Sequence, residues 1–217
     1  GYYEMPVRHG MTAGELARLF NAERAIGADL RVIEMEGWRR GMWFDETGLP
    51  WVDPSPNIRS LTQALLYPAV ALLEYLPNYS VGRGTDAPFE FVGADWMRAD
   101  ELAAELNRAG IPGMRFYAET RTPNASNFAG TAIPGVRSVV TDRNVVSAAR
   151  LGFELASALG RLHPDRLDYG RAAKLIGSRE AVEALRSGQS ARAIEANEAR
   201  RAARFAEIRK RYLLYGE

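Results

Sequence analysis

Residues 100–117, DELAAELNRAGIPGMRFY, hold the junction that decides the fold. Asp100 is suited to cap a helix running to Asn107, and Gly110 stands where a helix C-terminus takes a left-handed glycine. Met114 to Tyr117 then reads as a strand, Thr120 to Pro134 as loop, and Val136 to Thr141 as a further strand. Downstream, Leu151, Leu155, Leu159 and Leu162 share a helix face that ends before Pro164. The last fifty or so residues carry helical periodicity, punctuated by Gly177 and Gly188, with Phe205, Ile208 and Tyr212 on one side. Upstream, Thr12 and Glu15 make a T-x-x-E capping box ahead of Leu16, Leu19 and Phe20 on one face. Leu30 to Met35, closed by Glu36-Gly37, reads as a strand that continues into the aromatic and basic run Trp38 to Phe44. Ser60 and Gln63 make a second capping box, whose helix Pro68 must end or kink at Tyr67 before a new helix runs through Val70, Leu72, Leu73 and Glu74. Strands and helices are interspersed without a strand-helix-strand rhythm, so the class is α+β. A mixed sheet with packed helices is expected, with a mainly helical segment over about 143–217, all in one domain 1–217.

Composition narrows the function. The 217 residues are 47% hydrophobic, enough to bury a core without covalent staples. The 28 basic and 27 acidic side chains leave a formal net charge of +1, which supplies no field for nucleic acid or an anionic membrane. Arginines of the last helix alternate with Glu195, Glu198 and Glu207, the pattern of a solvated amphipathic helix. The chain has no cysteine, which excludes disulfides and thiolate chemistry, and with only His9 and His163 a zinc site would rest on carboxylates. Neither a metal nor a cofactor is expected. No apolar stretch approaches the roughly 20 residues that span a bilayer. Gly1-Tyr2-Tyr3-Glu4-Met5-Pro6 lacks the pattern of a signal peptide and reads as a cut through a longer chain.

Three clusters can carry chemistry. In Gly82-Arg83-Gly84-Thr85 an arginine between glycines combines close ligand approach with a guanidinium suited to a carboxylate or phosphate. The alternative is a tight turn with Arg83 paired to an internal acid such as Glu90. The spacing is not that of a phosphate-binding P-loop. In Trp51-Val52-Asp53-Pro54-Ser55-Pro56-Asn57 a proline-stiffened backbone offers a flat aromatic face and placed polar groups, the parts of a sugar site. Asn57 and Ser60 can equally serve only to start the next helix. Tyr67 can present a phenol to a cleft or pack as an ordinary tyrosine, and Glu74 can act as acid or base or sit as a plain helix carboxylate. His9, before Gly10, can touch a ligand, although a lone histidine is more often structural.

Read in order, the chain shows Met5-Pro6-Val7-Arg8-His9-Gly10-Met11-Thr12, Gly37-Trp38-Arg39-Arg40, Thr47-Gly48-Leu49-Pro50-Trp51, Pro54-Ser55-Pro56-Asn57, Tyr67-Pro68, Glu74, Asn78-Tyr79-Ser80-Val81-Gly82-Arg83-Gly84-Thr85 and Pro88-Phe89-Glu90. This series resembles the NamZ-like exo-β-N-acetylmuramidases, glycoside hydrolase family 171, long catalogued as a bacterial domain of unknown function. The likeness extends more weakly through Gly135-Val136 and Thr141-Asp142 to Arg209 and Tyr212-Leu213-Leu214-Tyr215, nearly the whole chain. It departs from the family at Ala69, where a glycine usually follows Tyr-Pro, and at Tyr75-Leu76-Pro77, which replaces a shorter glycine-containing link.

The resemblance implies a carboxyl-terminal domain that follows a Rossmann-like domain absent from this sequence, with the active site between the two and the catalytic glutamate in the missing part. It implies hydrolysis that frees N-acetylmuramic acid from the non-reducing end of peptidoglycan fragments, with the isolated chain inactive and the parent protein extracytoplasmic. On that reading Arg83 anchors the lactyl carboxylate and Tyr67 assists catalysis. His9, Trp51, Ser55, Asn57, Glu74, Asn78 and Thr85 complete the sugar-binding set. The competing expectation is a non-catalytic glycan-binding or scaffold domain. Partners on the first reading are muramic-acid glycans and the Rossmann-like domain, with no nucleic acid and no membrane span.

Overall fold

The computed structural model describes residues 3–216. Gly1, Tyr2 and Glu217, which belong to the expected cut amino terminus and to the expected domain 1–217, lie outside the described residues. Close backbone contacts divide the chain into two compact units, Gly1–Trp51 with Asn197–Glu217, and Val52–Ala196.

The smaller unit is built on α1, Ala13–Glu23, and the latter part of α7, Ala191–Arg209. The predicted capping box starts α1: Thr12 Oγ1 accepts from Glu15 N at 3.3 Å and Glu15 Oε2 accepts from Thr12 N at 2.8 Å. Leu19 is fully buried beside Met11 and Phe205, with Leu16, Phe20, Ile208 and Tyr212 packed around them, so the expected faces of both helices meet in one apolar cluster. The strand expected over Leu30–Met35 does not form. Those residues are irregular, with Ile33 78% exposed and Leu30 and Met35 also exposed. β-branched and aliphatic content marks a segment that fits a pleated surface, but a strand also needs a partner for its backbone groups. The proline-rich stretch after it carries one 3₁₀ turn, Phe44–Thr47, and is otherwise irregular.

The larger unit packs helices on a small sheet. Its elements are α2 (Leu61–Val70), β1 (Phe91–Gly93), α3 (Ala99–Arg108), β2 (Met114–Arg121), β3 (Ile133–Val140), α4 (Ala148–Leu162), α5 (Tyr169–Ile176) and α6 (Arg179–Arg186), followed by the start of α7. The strands order β1-β3-β2 and every pairing is antiparallel, where the sequence pattern suggested a mixed sheet. β2 and β3 run beyond their expected ends because an eight-pair register, from Met114↔Val140 to Arg121↔Ile133, supplies partners that local propensity does not encode. β1 has no strand-length signature of its own. It forms because Gly93 faces Gly135, and the Phe91 ring covers that glycine pair.

Two helix starts differ from expectation. Asp100 lies in the first turn of α3, where its charge complements the helix dipole, and Arg98 takes the capping position without a side-chain bond. In α2 Ser60 Oγ accepts from Gln63 N at 3.2 Å, but Gln63 Oε1 reaches past the cap to Arg59 N at 2.6 Å. The helix also continues through Pro68 to Val70 and then tightens into a 3₁₀ turn, Ala71–Leu73. An interior proline costs about 3 kcal/mol or more. Leu66, Val70 and Leu73, each essentially inaccessible, return about 1.5–3 kcal/mol apiece on burial, which outweighs that cost. Tyr67 therefore sits on a continuous helix and not at a break.

Candidate functional site

The Asn78–Thr85 segment enters the larger unit's core and leaves it again. Tyr79 and Val81 are buried, while Arg83 is half-buried between them and solvent. Backbone bonds from Ser80 N to Gly93 O (2.8 Å) and from Gly93 N to Ser80 O (3.0 Å) pin the segment to β1, and Phe89 N donates to Val81 O at 2.8 Å. The turn itself demands its glycines. Gly82 has φ +81° and a Cβ there would stand 2.5 Å from Ala87 O; Gly84 has φ +79° and a Cβ there would stand 2.2 Å from Ala125 O. Thr85 staples the same turn, its hydroxyl donating to Gly82 O at 2.6 Å and accepting from Ala87 N at 3.0 Å.

Arg83 is held on two sides. Its Nε donates to Glu74 Oε1 at 2.5 Å, and its guanidinium lies 5.0 Å from the centre of the Phe89 ring. Neither terminal nitrogen has a hydrogen-bond partner among the described residues. Glu90, the acid the sequence suggested as a partner, is engaged elsewhere, accepting from Arg137 Nη2 at 2.7 Å and from Gln63 Nε2 at 3.2 Å. Glu74 is therefore the orienting carboxylate, and the guanidinium keeps the planar pair of donors that a carboxylate ligand takes.

Phe89 joins this arginine to Tyr67. The two rings meet edge to face at 4.9 Å, and Tyr67 is 40% exposed with its hydroxyl unpartnered among the described residues. Phe89 is 1% exposed and adopts φ +62°, a left-handed backbone rare for a bulky side chain. Strain of this kind persists only where surrounding structure enforces it, and it concentrates at functional sites. The Tyr67 ring and the Arg83 guanidinium thus rest on one support, 4.9 and 5.0 Å from the centre of the Phe89 ring.

The other predicted residues divide between the two units. Asn78, also left-handed at φ +50°, is exposed, and its carbonyl accepts from Trp96 Nε1 at 2.9 Å. Ser55 and Asn57 lie in the same unit but organise a local turn: Ile58 N donates to Ser55 O at 2.9 Å and Asn57 N to Ser55 Oγ at 3.4 Å. His9 and Trp51 belong to the smaller unit. His9 Nδ1 accepts from Met11 N at 3.2 Å, and burial followed by the Arg209 charge lowers its pKa, so the ring is held neutral. Trp51 meets Phe44 edge to face at 5.3 Å. Phe89 escaped the sequence reading as a site residue. Its one signal was its place in Pro88-Phe89-Glu90, and a left-handed phenylalanine is not encoded in that motif.

Among the described residues no three of His, Asp, Glu and Cys gather closely enough to hold a metal ion, and no helix is long and apolar enough to cross a membrane. The carboxylates beside Phe89 and Arg83 are Glu74 and Glu90, and both are engaged, Glu74 by Arg83 and Glu90 by Arg137 and Gln63.

Residues 65–215 match the family described as the C-terminal domain of the exo-beta-N-acetylmuramidase NamZ, and residues 1–62 match its N-terminal domain. The chain is 39% identical over 218 residues to the peptidoglycan beta-N-acetylmuramidase NamZ of Bacillus subtilis (strain 168), covering 99% of this chain and 52% of that protein. It spans about half the length of that curated relative. Two crystal structures of DUF1343 family proteins from Bacteroides fragilis NCTC 9343 share the fold. One has a TM-score of 0.86 at 30% identity, covering 98% of this chain and 58% of that one. The other has a TM-score of 0.72 at 26% identity, covering 98% and 57%.

Proposed function

Because the chain belongs to the NamZ exo-β-N-acetylmuramidase family, we propose that it is the substrate-binding half of an exo-acting glycoside hydrolase that releases N-acetylmuramic acid from the non-reducing end of peptidoglycan fragments. The observation that carries this reading is Arg83, fixed through Nε by Glu74 and through its face by Phe89, with both terminal nitrogens unpartnered among the described residues. N-acetylmuramic acid differs from N-acetylglucosamine by a lactyl ether that ends in a carboxylate. A preset guanidinium fork distinguishes the two sugars by that group.

Tyr67 fits the role of assistant, a phenol that can donate to an oxygen on which charge develops. The acid that protonates the leaving oxygen is assigned to a carboxylate beyond residues 1–62, the part of the NamZ N-terminal domain that this chain matches. The reading carries with it an extracytoplasmic location, since peptidoglycan lies there. Titration of the chain with N-acetylmuramic acid and with N-acetylglucosamine tests it. Preference for the carboxylated sugar by at least about tenfold is expected, the low end of a charge-assisted hydrogen bond at about 1.5–3 kcal/mol, and Arg83→Ala should abolish it. Equal affinity for the two sugars in the unaltered chain overturns the assignment.

A further inference from the structure

Phe89 supports both Tyr67 and Arg83 on its ring, and its left-handed backbone has to be held there by its surroundings. The residue that follows it is bonded through its backbone and through both carboxylate oxygens. Glu90 N donates to Ala87 O at 3.1 Å, and Glu90 O accepts from Ser138 N at 2.7 Å. Oε1 accepts from Gln63 Nε2 at 3.2 Å and Oε2 from Arg137 Nη2 at 2.7 Å. Phe89 N itself donates to Val81 O at 2.8 Å, so the chain is fixed on both sides of the strained residue.

The side-chain bonds join three elements. Gln63 and Tyr67 stand four residues apart on α2, which puts them on one helix face with their Cβ atoms about 5–6 Å apart. Phe89 meets the Tyr67 ring at 4.9 Å while Glu90 meets the Gln63 amide at 3.2 Å, so consecutive residues grip consecutive turns of α2. Gln63 is buried, and its Oε1 accepts from Arg59 N at 2.6 Å, which leaves its Nε2 to face Glu90. Arg137 lies on β3 opposite Phe91, the residue after Glu90, and so ties the grip to the sheet.

Stability alone does not account for this cluster. Glu90 and Arg137 are half-buried, and Arg137 Nε is buried with no hydrogen-bond partner among the described residues. An unmet buried donor is destabilising, and apolar residues of similar volume in place of a buried ion pair are often neutral or better. The polar grip supplies what apolar packing lacks, which is direction. It fixes the rotation of α2 and its height against Phe89, the two variables that aim the Tyr67 phenol.

We propose that Glu90 is a positioning residue for Tyr67 and Arg83: with Gln63 and Arg137 it clasps α2 to the sheet and keeps Phe89 left-handed, and the Phe89 ring in turn sets the phenol and the guanidinium. This rests on the reading of Arg83 as a carboxylate anchor and deepens it. Glu90 acts through Phe89 and not on the ligand, because both of its carboxylate oxygens are committed within the protein. Without the clasp Phe89 relaxes toward an ordinary backbone and its ring leaves the guanidinium, which then keeps only the Glu74 bond.

The test uses the whole chain and two readouts. In titrations with N-acetylmuramic acid, Glu90→Ala should weaken binding at least about fivefold in the parent sequence and less than about twofold in an Arg83→Ala background, since residues that act through one group are not additive. Glu90→Gln, which keeps an acceptor for Gln63, should fall between Glu90→Ala and the parent. The NMR resonance of the Arg83 Nε–H reports the geometry with no sugar present, because its shift depends on the Phe89 ring and the Glu74 bond. It should move in Glu90→Ala and in Arg137→Met, and return toward its parent position in Arg137→Lys. Where Glu90→Ala melts early, Arg137→Met, at a partly exposed position, carries the same comparisons. An equal loss of affinity in both backgrounds, or an Nε–H resonance unmoved in Glu90→Ala and Arg137→Met, overturns the clasp. If Arg83→Ala binds N-acetylmuramic acid as tightly as the parent chain, the carboxylate anchor falls, while a displaced Nε–H resonance still upholds the clasp.

Discussion

Glu74 holds Arg83 by its Nε and not by its terminal nitrogens, at 2.5 Å, so the ion pair orients the guanidinium without consuming the donors that a carboxylate needs. Glu74 is thereby a positioning residue. Replacing Arg83 by alanine should weaken N-acetylmuramic acid binding about 10–100-fold, the worth of a charge-assisted pair at about 1.5–3 kcal/mol. Glu74→Gln keeps an acceptor for Nε and should weaken it less than Glu74→Ala, which frees the guanidinium to swing. Isothermal titration of the three variants gives the order, and an unaltered affinity in Glu74→Ala shows that Phe89 alone positions the arginine.

Gly82 and Gly84 make a stability prediction. Alanine at either position must adopt a positive φ and place a methyl group 2.5 Å or less from a backbone oxygen that cannot move independently. Each substitution should cost more than about 1 kcal/mol and lower Tm by about 2–4 °C per kcal/mol. Thermal unfolding followed by circular dichroism measures it. Glycine to alanine at Gly188, with a positive φ but nothing within 4 Å of the added methyl, isolates the backbone cost from the steric one.

The sequence displayed the parts of this molecule that depend on local chemistry. Thr12 with Glu15, Ser60 as the N-cap of α2, the leucine face of α4 and the glycines after α5 and α6 all read correctly, because a cap or a helix face is decided within a few residues. What failed depends on distant partners. β1 is three residues long and exists by pairing with β3, whereas Leu30–Met35 has strand composition and no pairing partner among the described residues. The break expected at Pro68 was overridden by burial of its neighbours. At the site, the turn glycines and the arginine were visible as a motif, yet the choice between Glu74 and Glu90 as the arginine's acid was not. Both lie within nine residues of Arg83, and Glu90 is taken by Arg137 from β3.

The smaller unit has its own acid limit. Glu15, with no exposed side-chain surface, accepts from Arg40 Nη2 at 2.6 Å, Arg40 Nη1 at 3.1 Å, Leu214 N at 2.8 Å and Thr12 N at 2.8 Å. Burial pushes its carboxyl up, but the Arg40 and backbone hydrogen bonds and the Arg40 charge win, and it is lowered to about 2. A carboxyl lowered on folding binds protons more readily in the unfolded chain, so its stabilisation is complete above its ordinary value of 4.5 and lost as pH falls from there toward about 2. Thermal melts should show a loss across that window which Glu15→Gln no longer shows. That variant should itself be less stable by about 3–5 kcal/mol, since it leaves Arg40 buried without its charge partner. A melt independent of pH between 5 and about 2 in the parent chain contradicts the assignment.

Tyr67 separates the enzyme from a binding module. Its ring packs edge to face on Phe89 and its hydroxyl is unpartnered among the described residues, so Tyr67→Phe removes one oxygen and leaves the packing intact. Stability should stay within about 0.5 kcal/mol, as for surface changes that touch no packed contact. If the phenol donates to charge that develops only in the transition state, kcat on an aryl N-acetylmuraminide should fall about 10–100-fold in the intact protein, with KM nearly constant, because ground-state binding is unaffected. Tyr67→Ala adds the loss of the Phe89 contact and so should also disturb Arg83, raising KM as well. A rise in KM with unchanged kcat in Tyr67→Phe would instead make the phenol an ordinary sugar contact, and unchanged values of both would remove Tyr67 from the site altogether.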